Sequence, residues 1–211
     1  MTLSSMFSGI TKGVYPVQSV SSSGGGVHYQ VALSAELCAG LGVGDSVAID
    51  GVCQTVVSIH EHLVSFDAMA ATCAITTLGD LEVGDHVSVE RSMRWGDECG
   101  GHILSGHVRG TAEVKVCEPE VGQVRLVLQC PQDWLPFLFP KGYIAVNGSS
   151  LTVHSVSDDG CITVYLIPET CRVTALGQLS SGTEVNIELD QQTVTTVLAV
   201  ERYLSQQQKQ S

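Results

Sequence analysis

The chain has 211 residues, of which 44% are hydrophobic and only 15% are charged, a composition typical of a compact globular protein. Its formal net charge of −12, with ten scattered basic residues, argues against a nucleic-acid partner, because binding to phosphates needs clustered Lys and Arg. No apolar run approaches the roughly 20 residues that cross a bilayer, and residues 1–6 lack the features of a signal peptide. We therefore expect a cytoplasmic protein with no membrane association.

The cysteines and histidines do not form a pattern that holds a metal ion or a disulfide framework. There is no CxxC and no HExxH, and the spacings are irregular. We therefore expect no metal and predict that most of the thiols are small buried hydrophobic side chains. The eight cysteines are Cys38, Cys53, Cys73, Cys99, Cys117, Cys130, Cys161 and Cys171.

Short β-branched runs separated by turn residues predict a protein made mostly of β-strands. In chain order, the clearest of these runs in the first half are 47–49, 55–59, 63–66 and 86–89. Many short strands with frequent turns are typical of barrels or sandwiches. From Thr193 to Leu204 the apolar residues follow a helical period instead, which predicts a C-terminal helix with a frayed polar tail from Ser205.

The sequence also repeats itself. Val47–Gly51 matches Ile144–Gly148, 97 residues further on, and Ser8-Gly9 recurs at Ser105-Gly106 with the same shift. After one inserted residue the shift becomes 98, and further matches follow, including Val87 with Glu90 against Val185 with Glu188. A repeat of this length is a whole domain rather than a solenoid unit. We predict two similar barrels at residues 6–100 and 101–190, followed by a C-terminal helix and tail at 191–211.

The two copies keep their apolar positions but differ at polar and reactive ones. These differences are Cys53 against Ser150, Ile10 against His107 and Ala71 against Glu169. This pattern is expected if two originally equivalent pockets have taken different roles.

Several motifs, in order and at compatible spacing, resemble those of the riboflavin synthases from Met6 to Arg202. They are Met6–Ile10, Asp50–Val56, Gly100–Val108, Lys141-Gly142, Asn147–Val153, Leu166–Thr170 and Val185–Asp190. The resemblance implies an all-β fold of two tandem six-stranded Greek-key barrels with a C-terminal α-helix. Each barrel would bind one lumazine.

The resemblance further implies a reaction. Two molecules of 6,7-dimethyl-8-ribityllumazine dismutate by transfer of a four-carbon unit, giving riboflavin and 5-amino-6-ribitylamino-pyrimidinedione, with no cofactor. Holding both reactants together removes much of the entropic barrier. The partners that it implies are copies of the same chain, in a homotrimer whose active sites lie between subunits, and lumazine synthase as an associated protein.

The chemistry of the reaction suggests roles for six side chains. The 7-methyl group of the lumazine is acidic, so His102, with His107 as a close second, is expected to act as a base or proton shuttle. The nucleophile that adds to C7 is expected to be Cys53, Ser46, Ser150 or a water molecule, and Cys53 matches the family best. Asp190 is expected to polarise one of these groups. The structural alternatives stay open: hydrogen-bonded histidines, an inert buried thiol, and an aspartate that ends a strand.

The resemblance also supplies two sets of binding residues. In the first barrel they are Gly9, Ile10, Thr11, Cys53, Gln54, Thr55, Asp67, Ala68, Met69, Ala70, Ala71 and Thr72. In the second barrel they are Gly106, His107, Val108, Lys141, Ser150, Leu151, Thr152, Ile167, Pro168, Glu169, Thr170, Cys171 and Arg172. Lys141 could equally be a solvated turn lysine.

Three departures from the family pattern keep a rival function open. The first barrel reads Ala70-Ala71-Thr72 where the family usually has Pro-Glu-Thr, so a carboxylate for the ribityl chain is missing there. Gln54 replaces a Leu, and Asn147 replaces an Asp. The rival is a non-catalytic lumazine- or flavin-binding protein of the same fold that serves as a fluorescent antenna.

Overall fold

The first barrel is built from strands whose side chains alternate between the core and the outside, as in β2 and β4. The computed structural model describes residues 6–208. The strands of the first barrel are β1 (Val14–Ser23), β2 (Gly26–Ala32), β3 (Ser46–Ile49), β4 (Val52–His60), β5 (Leu63–Ala68) and β6 (His86–Arg91). They close in the antiparallel order β1-β2-β5-β4-β3-β6, which is a Greek key. Every strand that the sequence predicted in this half lies within one of them.

The second barrel repeats this arrangement strand for strand. Its strands are β7 (Gly110–Glu120), β8 (Gln123–Gln129), β9 (Tyr143–Val146), β10 (Ser149–Val156), β11 (Cys161–Leu166) and β12 (Glu184–Leu189). They close in the equivalent order β7-β8-β11-β10-β9-β12. The predicted pair of six-stranded Greek-key barrels is therefore confirmed, whereas the exact division at residues 100 and 101 stays a prediction.

Short helices follow the strands at equivalent places in both halves. They are α1 (Ala35–Cys38), α2 (Ala70–Cys73) and α3 (Pro168–Val173), with 3-10 turns at Thr77–Asp80, Gln132–Phe137 and Leu176–Gln178. Helices α2 and α3 are counterparts, because each follows the fifth strand of its barrel. Ala71 on α2 and Glu169 on α3 occupy equivalent positions of these two helices.

The two barrels meet around a pseudo-two-fold axis. At its centre Phe7 and Leu104 form a two-way antiparallel bridge, with both N–H···O distances at 2.9 Å. Beside it, the turns of the β3–β4 and β9–β10 hairpins touch backbone to backbone. A Cβ atom added to Gly51 would lie 2.4 Å from the Gly148 nitrogen, so both glycines are needed there.

The C-terminal helix α4 runs from Gln191 to Gln208, longer at both ends than predicted. The expectation of a frayed tail from Ser205 is wrong as far as Gln208, because the helix continues through these polar residues. Residues 1–5 and 209–211, on which part of the signal-peptide and tail predictions falls, lie outside the described residues. Within residues 6–208, no helix combines the length and apolar character needed to cross a bilayer.

All eight cysteines are free thiols. The expectation that most of them are fully buried is wrong, because only Cys130 is buried, six are half-buried and Cys99 is exposed. Four of the half-buried thiols, those of Cys38, Cys73, Cys117 and Cys171, pack against the core clusters of the barrels without being enclosed. Burial raises the pKa of the Cys130 thiol to about 12.

Candidate active site

The segment that leads into the first barrel is fixed by a buried carboxylate. Glu90 on β6 accepts hydrogen bonds from the Ser8 backbone N–H at 2.6 Å, from the Ser8 hydroxyl at 2.7 Å and from the Gly9 N–H at 3.1 Å. Burial raises the pKa of Glu90, and these hydrogen bonds oppose the rise. The carboxylate therefore organises a short stretch of chain that has no regular secondary structure.

The second barrel repeats this device with Glu188 on β12. Its carboxylate accepts from the Ser105 backbone N–H at 2.7 Å, the Ser105 hydroxyl at 2.8 Å and the Gly106 N–H at 2.9 Å. We call residues 7–11 and 104–108 the first and second leading segments. The predicted sites omitted both glutamates, although the repeat aligns Glu90 with Glu188.

Each leading segment then crosses to the other barrel. The Gly9 carbonyl accepts from the Ser150 N–H at 2.9 Å, and the Gly106 carbonyl accepts from the Cys53 N–H at 2.9 Å. Thr11 also reaches the second barrel, with its hydroxyl 3.0 Å from that of Ser149. Each contact is made across the axis between the barrels.

The predicted grouping of binding residues is therefore wrong for these segments. Gly9 and Thr11 contact the second barrel rather than lying beside Cys53, and the segment at Gly106 lies beside Cys53 rather than Ser150. Because the crossings at Gly9 and Gly106 use backbone groups, they leave no side-chain pattern from which sequence reasoning could have found them.

A hollow of about 290 Å³ surrounds Cys53 on the outer face of the first barrel. Cys53 is half-buried and packs against the cluster around the Phe7–Leu104 bridge. The lining comes from both halves of the chain: Val52, Cys53, Ala71, Thr72, Ile75, Thr76, Gly106, His107 and Val108. The hollow thus combines a thiol, a threonine hydroxyl and an exposed imidazole, that of His107.

His102 and Ser150 form a hydrogen-bonded pair at the start of β10. The Nδ1 atom of His102 lies 2.6 Å from the Ser150 hydroxyl, and the backbone N–H of His102 also donates to that oxygen, at 3.2 Å. Among the described residues, Nδ1 is the acceptor that the Ser150 hydroxyl reaches, so we assign the hydroxyl as the donor to Nδ1 and the imidazole proton to Nε2. This is the geometry of a serine hydroxyl paired with a general base.

The environment of His102 keeps its ring neutral and fixed. The residue is buried, and burial lowers the pKa of His102, while the charge of Asp190 opposes this shift. Tyr143 stacks on the ring with centroids 5.0 Å apart and planes 17° apart. Among the described residues, Nε2 has no hydrogen-bond partner. A buried, unpaired nitrogen beside a reactive pair can take a polar ligand or a water molecule.

Asp190 caps helix α4. Its carboxylate accepts from the Thr193 backbone N–H at 2.9 Å and from the Thr193 hydroxyl at 2.6 Å. Its charge also acts on His102, as the pKa of that histidine shows. Asp190 therefore has a structural role as a helix cap, and an electrostatic influence on His102 accompanies it.

A cleft of about 370 Å³ extends from Ser150 along the outer face of the second barrel. Its lining residues are Lys141, Ser150, Leu151, Thr152, His154, Tyr165, Ile167 and Thr170. The backbone of Lys141 is left-handed, with φ of 72°, at the turn that leads into β9. Of these residues, His154 and Tyr165 were not predicted.

Helix α3 flanks this cleft with a paired carboxylate. Glu169 accepts from Arg172 through two bonds, from Nε at 2.8 Å and from Nη2 at 2.6 Å, and both residues are exposed. The pKa of Glu169 is lowered, mainly by these hydrogen bonds. Pro168 and Cys171 lie on the same helix. In the first barrel the equivalent position is Ala71, so the carboxylate is confined to one half.

Three predicted residues point away from the hollow around Cys53. Gln54 faces the barrel core, where its amide donates to the Cys53 carbonyl at 2.9 Å, because strand alternation turns it opposite to Cys53. Ala68 is buried in the same core. Asp67 is exposed, and its carboxylate accepts a hydrogen bond from the His28 Nδ1 atom at 2.6 Å.

The remaining predicted residues are spread over the outer surface. Ser46 lies opposite Thr55 and lines a separate hollow of about 600 Å³, beside Met6 and Trp95. Thr55 is exposed, as are Met69, Ala70 and Ile10.

Comparison with known proteins gives one consistent picture. A family model described as "Lumazine binding domain" matches residues 8–92 and again residues 105–190. The chain is similar to riboflavin synthase of Chlamydia pneumoniae, with 40% identity over 200 residues, covering 95% of this chain and 98% of the relative. It is likewise similar to riboflavin synthase of Escherichia coli (strain K12), with 43% identity over 202 residues, covering 95% and 94%.

Among solved structures, the chain is similar to LumP complexed with 6,7-dimethyl-8-(1'-D-ribityl) lumazine. The identity is 26% and the TM-score 0.79, covering 87% of this chain and 99% of the other. LumP complexed with riboflavin gives the same identity and coverage, with a TM-score of 0.81.

Proposed function

The chain belongs to the riboflavin synthase family, and from that membership we propose that it converts two molecules of 6,7-dimethyl-8-ribityllumazine into riboflavin and 5-amino-6-ribitylamino-pyrimidinedione. The observation that carries this proposal is the hydrogen bond of His102 to Ser150, a serine that lines a cleft, in a chain that also keeps the Cys53 thiol in an equivalent hollow. A protein that only binds a lumazine needs neither pair nor thiol.

The two pockets suit two like substrates held in different states. In the second barrel, the neutral imidazole of His102 is arranged to take a proton through the Ser150 hydroxyl, which donates to its Nδ1 atom. We therefore place at the second barrel the lumazine that loses a proton from its 7-methyl group. His107 lines the other hollow and is a second group for proton transfer.

The first barrel holds the other reactant, to which a nucleophile adds at C7. Cys53 lies in the hollow with its backbone N–H held by the Gly106 carbonyl, so the thiol has a fixed position. It is our candidate for this nucleophile, with a water molecule as the alternative. Thr72 and the backbone of the second leading segment supply hydrogen bonds for the ligand.

The proposed active site is completed by association of several copies of the chain. We propose a homotrimer in which the first barrel of one subunit faces the second barrel of the next, so that two lumazines stack across the interface. Helix α4 supports this because it exposes large apolar side chains: Leu198, Val200, Tyr203 and Leu204 are each at least 50% exposed. Val200 and Leu204 are one helical turn apart and share a face.

This assembly is tested with the Val200→Glu/Leu204→Glu double variant. Charges on an interface face prevent association, so we expect a monomer by analytical ultracentrifugation where the natural chain is trimeric, with circular dichroism unchanged. A natural chain that sediments as a monomer would contradict the trimer. The cytoplasmic location and an association with lumazine synthase stay predictions from the resemblance.

The activity is tested by incubating the purified chain with 6,7-dimethyl-8-ribityllumazine alone and following riboflavin by its absorbance. We expect one riboflavin for every two lumazines consumed, without added cofactor. Tight binding of the lumazine without turnover would instead favour the antenna function. The similarity to LumP, which was solved with a lumazine and with riboflavin, supports ligand binding, at 26% identity against 40–43% for the two riboflavin synthases.

A further inference from the structure

Both barrels carry a β-bulge at the same place, on the strand that begins at the reactive residue. In the second barrel the pairing of β10 with β11 slips between Val153 and Ser155. In the first barrel the pairing of β4 with β5 slips between Val56 and Ser58. The extra residue is His154 in one barrel and Val57 in the other. Bulges redirect a side chain and are common beside functional sites.

The strand that pairs with the bulged strand also carries different side chains in the two barrels. Tyr165 on β11 lies opposite Arg125, whereas its counterpart Asp67 on β5 lies opposite His28. The ring of His154 meets that of Tyr165 edge to face, with centroids 4.9 Å apart and planes at 84°. In the first barrel, Asp67 is occupied by its bond to His28. The second barrel therefore presents two rings in contact where the first presents a valine and a hydrogen-bonded Asp–His pair.

These rings form the far wall of the cleft that begins at Ser150. His154 lies four residues along β10 from Ser150, about 13 Å at the rise of an extended strand. Lys141, which also lines the cleft, donates its backbone N–H to the Val153 carbonyl at 2.7 Å, beside the bulge. Lys141, His154 and Tyr165 therefore border the same cleft with an ammonium group, an imidazole and a phenol.

We propose that His154 and Tyr165, together with Lys141, bind the two carbonyl oxygens of the dioxopyrimidine ring of the lumazine in the second barrel. This rests on the proposed function. A carbonyl oxygen accepts hydrogen bonds, and all three groups can donate them. When the 7-methyl group loses its proton, the negative charge spreads through the ring onto these oxygens. Donors already in place there stabilise the anion, so His154 and Tyr165 make the second barrel the site of deprotonation.

The test compares ligand binding in three variants of the full chain. His154→Val introduces the residue of the first barrel, Tyr165→Phe removes only the hydroxyl, and Val57→Ala is the matched control at the other bulge. Isothermal titration calorimetry with riboflavin measures the affinities of the two classes of site. A second titration uses lumiflavin, which keeps the dioxopyrimidine ring but has no ribityl chain.

We expect His154→Val to weaken one class of riboflavin site roughly tenfold and Tyr165→Phe about threefold, as for loss of one hydrogen bond each. The other class stays unchanged, and the loss persists with lumiflavin. Unchanged binding in both variants would overturn the inference, as would a loss seen with riboflavin but not with lumiflavin, since that would assign the rings to the ribityl chain. Failure of the natural chain to bind riboflavin at all would instead count against the proposed function.

Discussion

The two barrels of this chain have the same strands, the same order and the same bulge, yet they present different chemistry at equivalent positions. Where the first barrel has Cys53, the second has Ser150 paired with His102. The first has Ser46 where the second has Tyr143, which stacks on that histidine. The two barrels therefore share one backbone fold. The chemistry of each is decided by a few outward-facing residues on its third and fourth strands.

The interiors differ as well. The first barrel buries Asp50, whose carboxylate accepts from the Ser88 N–H at 2.8 Å, and the second uses Asn147 to accept from the Asn186 N–H at 2.7 Å. Both residues occupy left-handed turn positions with φ of 43°. The two turns have the same geometry, but only the turn of the first barrel carries a titratable group, the carboxyl group of Asp50. Burial raises the pKa of Asp50 to about 7.

The largest expected effect comes from breaking the reactive pair of the second barrel. His102→Gln removes the base and should lower kcat about 100- to 1,000-fold. Riboflavin binding to the first barrel should be retained, because His102 does not line the hollow around Cys53. Steady-state kinetics and titration calorimetry check both parts. The control is His86→Gln, at an exposed histidine bonded to the Gly84 carbonyl, and a full rate in His102→Gln would remove this residue from the mechanism.

The next effect is on stability, and the variant that tests it, Asp50→Asn, gives the first barrel the same amide side chain that the second barrel has at Asn147. The raised pKa of Asp50 means that the folded chain holds a proton that the unfolded chain releases above pH 4, so stability falls as the pH rises from about 4 to 7. Asp50→Asn removes this penalty. We expect the stabilisation by this variant, from urea unfolding, to be about 2 kcal/mol greater at pH 8 than at pH 5.

The reciprocal variant Asn147→Asp serves as the control for this experiment. It places the same carboxyl group at the equivalent turn of the second barrel and should make that barrel lose stability over the same pH range. If Asp50→Asn changes the free energy of unfolding equally at both pH values, the carboxyl group of Asp50 is ionised in the folded chain.

A third variant makes the reactive positions of the two barrels alike. Cys53→Ser gives both barrels a serine, and since a neutral hydroxyl is a poorer nucleophile than a thiol, kcat should fall about tenfold. The affinity for riboflavin should hardly change, because the two side chains are of similar size. Cys99→Ser, at an exposed thiol between strands β6 and β7, is the control. An unchanged kcat in Cys53→Ser would assign the nucleophile to water.

The smallest expected effect comes from restoring a carboxylate to the first barrel. Ala71→Glu copies Glu169, but the position equivalent to Arg172 is Ala74, so the new carboxylate has no arginine partner on its own helix. It is therefore free to bind ribityl hydroxyls, and the affinity of the first-barrel site for riboflavin should rise about threefold. Ala70→Glu, one residue away, should leave the affinity unchanged. Weaker binding in Ala71→Glu would show that the hollow excludes a carboxylate.

The duplication and the barrels could be predicted because the residues that specify them are local. Each hairpin turn needs a residue that tolerates a left-handed backbone followed by a glycine, and Asp50-Gly51 and Asn147-Gly148 mark this turn in both copies. The inward position of Gln54 could also have been predicted from the sequence, since Val52, Gln54 and Val56 occupy every second position of β4 and face the same side. It was missed because a polar residue is not expected inside a barrel.

The candidate site could be predicted only in part. Family motifs identified His102 and Ser150 as separate candidates, but their direct contact depends on the path of the chain between the barrels. His154 and Tyr165 belong to no motif, and only the bulge and the strand register bring them together. The end of helix α4 was misjudged because glutamines continue a helix as readily as they form a polar tail.

The crossed glycine carbonyls have a consequence for how such a chain could have arisen. Each barrel depends on the other to satisfy the backbone N–H of its own reactive residue, through Gly9 for Ser150 and Gly106 for Cys53. A single barrel of this kind, made as a separate chain, would leave one donor and one acceptor unmet and would satisfy both by pairing with its own copy. Two barrels joined in one chain keep this contact without relying on association, so each half can diverge without losing it.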